Sequence, residues 1–371
     1  MHRENSPKPM TAKPRQAIIS PVADFLCCGG LSILAVLGLF AYSAVDPGNR
    51  IFSSGVDLRD IIVLSVLINF PHFMASYRLL YRSKTQILEH SWASIYIPLI
   101  LVAMIAVSLL TPSQDPENPE FANGGIVELV TLVAAMLLAW HYTGQAWGMT
   151  ASFSYLAGIR MQTGERRLIR SGYLALMVFH LVWACLVALG DPKFLFFASV
   201  MSPQTSRLIV LYNVVTLLVV LTIPLGIAGF LRVWHRTGIR PPIRAFTPWI
   251  AIYLWYALIY FYPKMFLCLQ VFHALQYLIF PLRVEMNQYA MRRKQQQGQV
   301  LHSLVYYISL VVIGFAVFAL PTFTFYLGDE AYAMEALVVG FVNIHHYVID
   351  GAIWKIRNPS VRRDLFAHLS G

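Results

Sequence analysis

Long apolar stretches alternate with short polar ones along almost the whole chain. Ten apolar stretches lie at roughly 21–44, 58–81, 91–111, 124–156, 170–190, 205–234, 246–262, 264–288, 300–327 and 333–357. Each is near or above the ~20 residues that a helix needs to cross a bilayer, except 246–262, which is short. The pattern predicts an all-α fold, a polytopic membrane bundle of about ten transmembrane helices.

Charge alternates along the polar stretches and predicts the orientation of the bundle. Arg160, Arg166 and Arg167 lie between the fourth and fifth apolar stretches, whereas Asp115 and Glu117 lie before the fourth. The other loops repeat this alternation, and loops rich in Lys and Arg stay in the cytoplasm. Both termini are therefore predicted to be cytoplasmic. We expect a disordered tail over 1–20, one transmembrane domain over 21–357 and a second tail over 358–371.

Composition supports a membrane protein and removes one class of partner. The chain is 57% hydrophobic and 12% charged, whereas a soluble domain has about 25% charged residues. The net charge of +10 comes from basic loops that membrane topology requires, so we expect no nucleic-acid partner. The expected surroundings are a lipid bilayer, in the inner (plasma) membrane of a bacterium. The oligomeric state stays open.

Histidines recur at one depth within the apolar stretches. Six of the eleven histidines fall in a central slab about 10 Å thick, measured at ~1.5 Å per helical residue. They are His72, His141, His180, His273, His345 and His346. A single buried histidine is usually a neutral side chain satisfied by a neighbour. Six at one level, on five helices, predict a shared metal site or a proton relay.

Polar residues four positions after two of these histidines share their helix faces. Gln145 follows His141 and Tyr277 follows His273 at this spacing. Residues at i and i+4 are neighbours on a helix surface. Gln145 and Tyr277 are therefore candidate catalytic residues.

The third such pair distinguishes between two adjacent histidines. Asp350 lies four residues after His346, so both lie on one face, and His345 points about 100° away. A metal-bound histidine usually donates its second N–H to a carboxylate or carbonyl. Asp350 is predicted to orient His346 in this way or to bind the metal itself.

Three short motifs carry a resemblance to a known family. Pro71-His72, His141-Tyr142-Thr143-Gly144 and the stretch from Phe272 to Tyr277 are similar to motifs of the Brp/Blh-type membrane β-carotene dioxygenases. Phe73 stands where that family has glycine, and Tyr277 stands where it has a second histidine. The resemblance implies a polytopic bacterial protein that holds non-haem iron on histidines and cleaves a carotenoid within the membrane.

The residues themselves suggest a metal enzyme and two alternative functions. Imidazoles with a carboxylate suit Fe(II) in an oxygenase acting on an apolar, lipid-like or isoprenoid substrate. Zinc would suit the same ligands if the reaction were hydrolytic. The alternatives are a proton-coupled transporter with a His/Asp relay and a haem protein with histidine axial ligands.

Overall fold

A computed structural model of the chain describes residues 17–56, 60–111, 123–191, 193–293, 298–319, 329–355 and 359–369. Within these ranges the regular secondary structure is helical and includes no strand. The predicted all-α class is confirmed.

Ten long helices run through the described ranges. They are α1 (Pro21–Val45), α2 (Ile62–Leu80), α3 (Trp92–Leu110), α4 (Gly124–Leu156), α5 (Thr163–Gly190), α6 (Leu195–Thr237), α7 (Ile243–Phe261), α8 (Pro263–Arg293), α9 (Gln299–Phe318) and α10 (Asp329–Ile353). All of them except α7 contain a segment long and apolar enough to cross a membrane. The α7 helix lies inside the bundle, where Ile252, Trp255 and Leu258 are fully buried. Such a helix presents little surface to lipid and needs less overall hydropathy.

The outer surface of the bundle is apolar. Large hydrophobic side chains are more than half exposed on α6, including Val210, Leu217 and Val220. A water-soluble monomer rarely exposes an apolar surface of this extent. Together with the helix lengths, this surface identifies an integral, multi-pass membrane protein.

Four of the membrane helices, α1, α2, α3 and α9, contain a wider, π-helical turn in the described ranges. In α1 the turn Leu26–Gly30 is π-helical, and Gly29 has a φ of 144°. In α2 a π-helical turn, Ser65–Asn69, ends two residues before Pro71, which has no N–H to donate to the preceding turn. There the Tyr307 hydroxyl of α9 donates to the backbone carbonyl of Leu67. The irregular turn in α2 sets the position from which His72 projects.

Three short α-helices lie outside the ten long ones in the described ranges. They are Arg50–Ser54, Lys84–Glu89 and α11 (Pro359–Phe366). The α11 helix lies within the predicted C-terminal tail, yet its Leu365 and Phe366 are buried against the bundle.

The first and last described segments meet at one end of the bundle. The carbonyl of Ala17 accepts from Nε2 of His368 at 2.8 Å, and Ile18 is fully buried. The first and last described segments are therefore on the same side of the bundle, as the charge alternation predicts. Of the predicted N-terminal tail, residues 1–16 lie outside the described ranges.

The centre of the bundle is built by α2, α4, α8 and α10. The α10 helix packs against both α2 and α4, and α2 also packs against α8. Among the nine membrane-spanning segments of the described ranges, those in α8 and α10 have the largest fraction of buried residues. This arrangement brings the faces that carry four of the predicted histidines together.

Candidate metal centre

Four buried histidines converge where these helices meet. One ring nitrogen from each of His72, His141, His273 and His346 lies within 4.8 Å of all the others. Each side chain is at most 4% exposed. The spacing and donor chemistry are those of a group that could hold a metal ion.

The His72 ring is fixed by the backbone of its own helix. Its Nδ1 lies 2.7 Å from the carbonyl oxygen of Asn69, so Nδ1 carries the proton and donates. The Nε2 atom is then deprotonated and has no hydrogen-bond partner in the described structure. A backbone carbonyl that fixes the tautomer in this way is the usual support of a metal-binding histidine.

The other three imidazoles crowd together with few conventional partners. Nε2 of His273 lies 2.8 Å from Nε2 of His141, while Nδ1 of His273 has no partner among the described groups. Neither nitrogen of His346 has one. A buried polar atom without a partner costs about 1–3 kcal/mol. A cation between the rings would satisfy several of these nitrogens at once.

Asp350 adds a carboxylate to the edge of the group. Its Oδ2 lies 3.6 Å from Nε2 of His346 and 3.9 Å from Nε2 of His141. These distances are too long for hydrogen bonds. The carboxylate therefore faces the space between the imidazoles, as a ligand would, and makes no direct hydrogen bond that orients His346.

The second oxygen of Asp350 is held by a hydrogen-bond network. Oδ1 accepts from the Ser76 hydroxyl at 2.6 Å and from the Tyr277 hydroxyl at 3.1 Å. The indole N–H of Trp354 donates to the Tyr277 hydroxyl at 2.9 Å. Tyr277 thus lies beside the histidines and helps to aim the carboxylate. Ser76 was missed by the sequence analysis, although it follows His72 by four residues and shares its face.

The side chain of Gln145 contacts the backbone of one of the four histidines. Its Nε2 donates to the carbonyl of His273 at 3.2 Å and joins α4 to α8, while its Oε1 has no partner among the described residues. Its side chain also lines the cavity described below.

Two predicted ligands lie apart from this group. His345 has Nδ1 at 2.9 Å from the Tyr77 hydroxyl and Nε2 at 2.6 Å from the carbonyl of Ala93. His180 is paired through Nδ1 with the Tyr256 hydroxyl at 2.8 Å. The structure does not bring either ring to the four histidines, because each is drawn towards partners on other helices.

A cavity of about 210 Å³ adjoins the group on one side. His141 and Asp350 lie on its wall, and Trp140, Phe280 and Trp354 make much of the remainder apolar. A mostly apolar cavity with a few convergent polar groups is typical of a small-molecule site.

Comparisons of the chain with protein-family models, with curated proteins and with solved structures give no match. The functional argument therefore depends on the geometry of the site.

Proposed function

We propose that this protein is a membrane-embedded metal enzyme whose ion is held by His72, His141, His273 and His346. The observation that carries the proposal is the convergence of four buried imidazole nitrogens from four helices. Structural packing alone gives no reason to bring so many unpartnered nitrogens into one low-dielectric site.

The donor set favours non-haem iron. Imidazole nitrogens with a single carboxylate and a free side towards a cavity suit Fe(II). Iron bound there would supply the redox chemistry for oxidising an apolar substrate with O₂. Zinc fits the same nitrogens and would indicate a hydrolytic reaction instead.

The chain's own groups have separate parts in this proposal. The four imidazoles hold the ion, and the Asp350 carboxylate provides negative charge on the side that faces the cavity. Ser76 and Tyr277 fix the direction of that carboxylate. The apolar wall formed by Trp140, Phe280 and other residues binds the substrate and excludes water.

The spacing of the rings argues against haem. Ring centroids of His141 and His273 are 4.5 Å apart, as are those of His72 and His346. A pair of axial histidines must leave a macrocycle between them. These rings leave no such space.

Metal analysis with an absorption spectrum of the detergent-purified protein tests the proposal. We expect one iron per chain without a Soret band. The alanine variants of the four histidines should lose the iron, whereas His180→Ala, a buried histidine outside the group, should keep it. Metal-free protein overturns the proposal, and a Soret band would indicate haem instead.

The resemblance to the β-carotene dioxygenases suggests the first substrate to assay. Consumption of O₂ with β-carotene in detergent micelles, lost in His346→Ala, would support an oxygenase acting on carotenoids. Iron-loaded protein that leaves β-carotene unchanged would direct the search to other apolar substrates.

A further inference from the structure

The cavity beside the histidines is open midway along α4, one of the helices long and apolar enough to cross a membrane. Trp140 and Gly144 line it, and both lie near the centre of the 33-residue helix α4. Trp140 is 46% exposed and Gly144 is also exposed. An exposed surface at that depth faces lipid acyl chains, so the opening leads into the bilayer.

Two glycines shape the cavity along α4. Trp140, Gly144, Gly148 and Ser152 follow at four-residue intervals, so they form one face that spans about 18 Å at ~1.5 Å per residue. A Cβ added to Gly144 or Gly148 would meet no atom within 4 Å. The absence of side chains at these two positions therefore leaves a narrow groove. Close packing against another helix does not require glycine there.

The far end of this groove is closed. Ser152 is 2% exposed and Leu365 of α11 is 1% exposed, and both line the cavity. Phe280 and Met149 on its walls are also buried. The groove is thus open beside Trp140 and Gly144 and closed at Ser152 and Leu365.

Buried polar groups point to a ligand in this groove. His141 and Asp350 lie on its wall near the open end, and they are 4% and 8% exposed. The Oε1 atom of Gln145, also on the wall, has no partner among the described groups. A molecule lying in the groove passes directly beside the edge of the metal-binding group.

We propose that the substrate is an extended apolar chain that enters from the bilayer, passes Gly144 and Gly148, and places its end at Ser152 and Leu365. This inference deepens the proposed function and depends on it for the reaction. The two glycines set the width of the admitted chain, and the blind end sets which part of it lies beside His141 and Asp350.

A photoreactive fatty acid tests this inference without knowledge of the true substrate. Protein in phosphatidylcholine nanodiscs is irradiated with an oleic acid analogue that bears a mid-chain diazirine, and the labelled peptides are mapped by mass spectrometry. We expect label on Tyr277 and Phe280, which are buried in the bundle and line the groove. Label at Leu129, which is 50% exposed, reports ordinary contact with lipid.

Matched glycine variants test the route. Gly144→Leu with Gly148→Leu should abolish label at Tyr277 and Phe280 while label at Leu129 persists. Gly38→Leu is the control, because Gly38 is an exposed glycine of α1 with open space at its Cβ and no contact with the cavity. If the double variant fails to fold, Gly144→Val alone replaces it, with partial loss expected.

Several outcomes would overturn the inference. These are label restricted to Leu129, label at Tyr277 that persists in the glycine variants, or equal labelling of Tyr277 by a diazirine sterol. Metal content is measured in parallel and separates the two proposals. Metal-free protein that still shows groove labelling contradicts the metal centre alone, and iron-loaded protein without groove labelling contradicts the chain-binding groove alone.

Discussion

His345 and His346 are adjacent in the sequence but have opposite surroundings. Both ring nitrogens of His345 have partners, Tyr77 and the carbonyl of Ala93. Neither nitrogen of His346 has a partner among the described groups, and its ring is fully buried. The hydrogen-bonding groups of His345 are satisfied by neighbouring residues, whereas the ring nitrogens of His346 are available to a metal.

We expect His346→Ala to lose bound metal and His345→Ala to keep it. Loss of the His345 ring leaves Ala93 and Tyr77 unpaired, which should lower the free energy of unfolding by about 1–3 kcal/mol. Elemental analysis and thermal unfolding of both purified variants measure the two effects. Equal metal content in the two variants would undo the assignment of His346.

Asp350→Asn tests the carboxylate with little change of shape. If Asp350 supports the ion, metal affinity should fall about 10–100-fold, as it does when a supporting group of a metal site is changed. Competition with a chelator measures this affinity. Tyr277→Phe, which removes one donor to Asp350 and keeps the carboxylate, should have a smaller effect. Wild-type affinity in the Asp350→Asn variant would contradict the role.

The sequence could predict the residues of the site better than their partners. Depth and the i+4 spacing pointed to His72, His141, His273, His346 and Asp350. These rules give only a height and a direction on one helix. They do not reveal which group lies opposite, so they could not show that His180 is paired with Tyr256 on α7.

At the scale of elements, the distance between α4 and α10 depends on one glycine. A Cβ on Gly351 would lie 2.3 Å from an atom of the Trp140 ring. His141 follows Trp140 on α4, and His346 and Asp350 lie within two turns of Gly351 on α10. This contact therefore sets how closely the two helices bring their ligands together.

Gly351→Ala should destabilise the fold by about 1–3 kcal/mol, because the added methyl group overpacks the contact with Trp140. It should also weaken metal binding, since α4 and α10 move apart. Thermal unfolding and chelator competition measure both, and Gly148→Ala, which adds a methyl group in open space, is the control. A second substitution, Trp140→Leu, should restore part of the loss.

Helix positions were more predictable than helix ends. The predicted span 124–156 agrees with α4, whereas α5 begins at Thr163 and not near 170. The first turns of α5 are rich in arginine, so their low hydropathy predicts a loop. They are helical because Gln162 and Glu165 form a capping box there, and Glu165 is also paired with Arg236 at 2.6 Å.

At the scale of the whole molecule, alternating loop charge predicted a topology whose described ends meet at one side. Loop charge could not predict which contacts hold these ends against the bundle. Asp24 is fully buried, pairs with Arg244 at 2.8 Å and accepts from the amides of Ile18 and Ile19. These contacts link the first described residues to α7, and no local pattern reveals them.

Asp24→Ala leaves Arg244 buried without this partner and should cost about 3–5 kcal/mol of folding free energy. The control is Asp60→Ala, which removes the exposed pair with Arg50 and should cost at most about 1 kcal/mol. Thermal unfolding in detergent compares them. Similar losses of folding free energy in both variants would show that the buried pair contributes no more to stability than the exposed one.

The contact between the first and last described segments has a consequence for biosynthesis. Ala17 is held by His368, and Asp24 by an arginine 220 residues further along the chain. At about 5–20 residues per second, a ribosome needs on the order of tens of seconds to produce these partners after Ala17 itself. Until then Asp24 lacks Arg244, its cationic partner in the folded bundle. Closure of the bundle, and with it assembly of the four-histidine group from α2 to α10, must therefore follow insertion of the last helix.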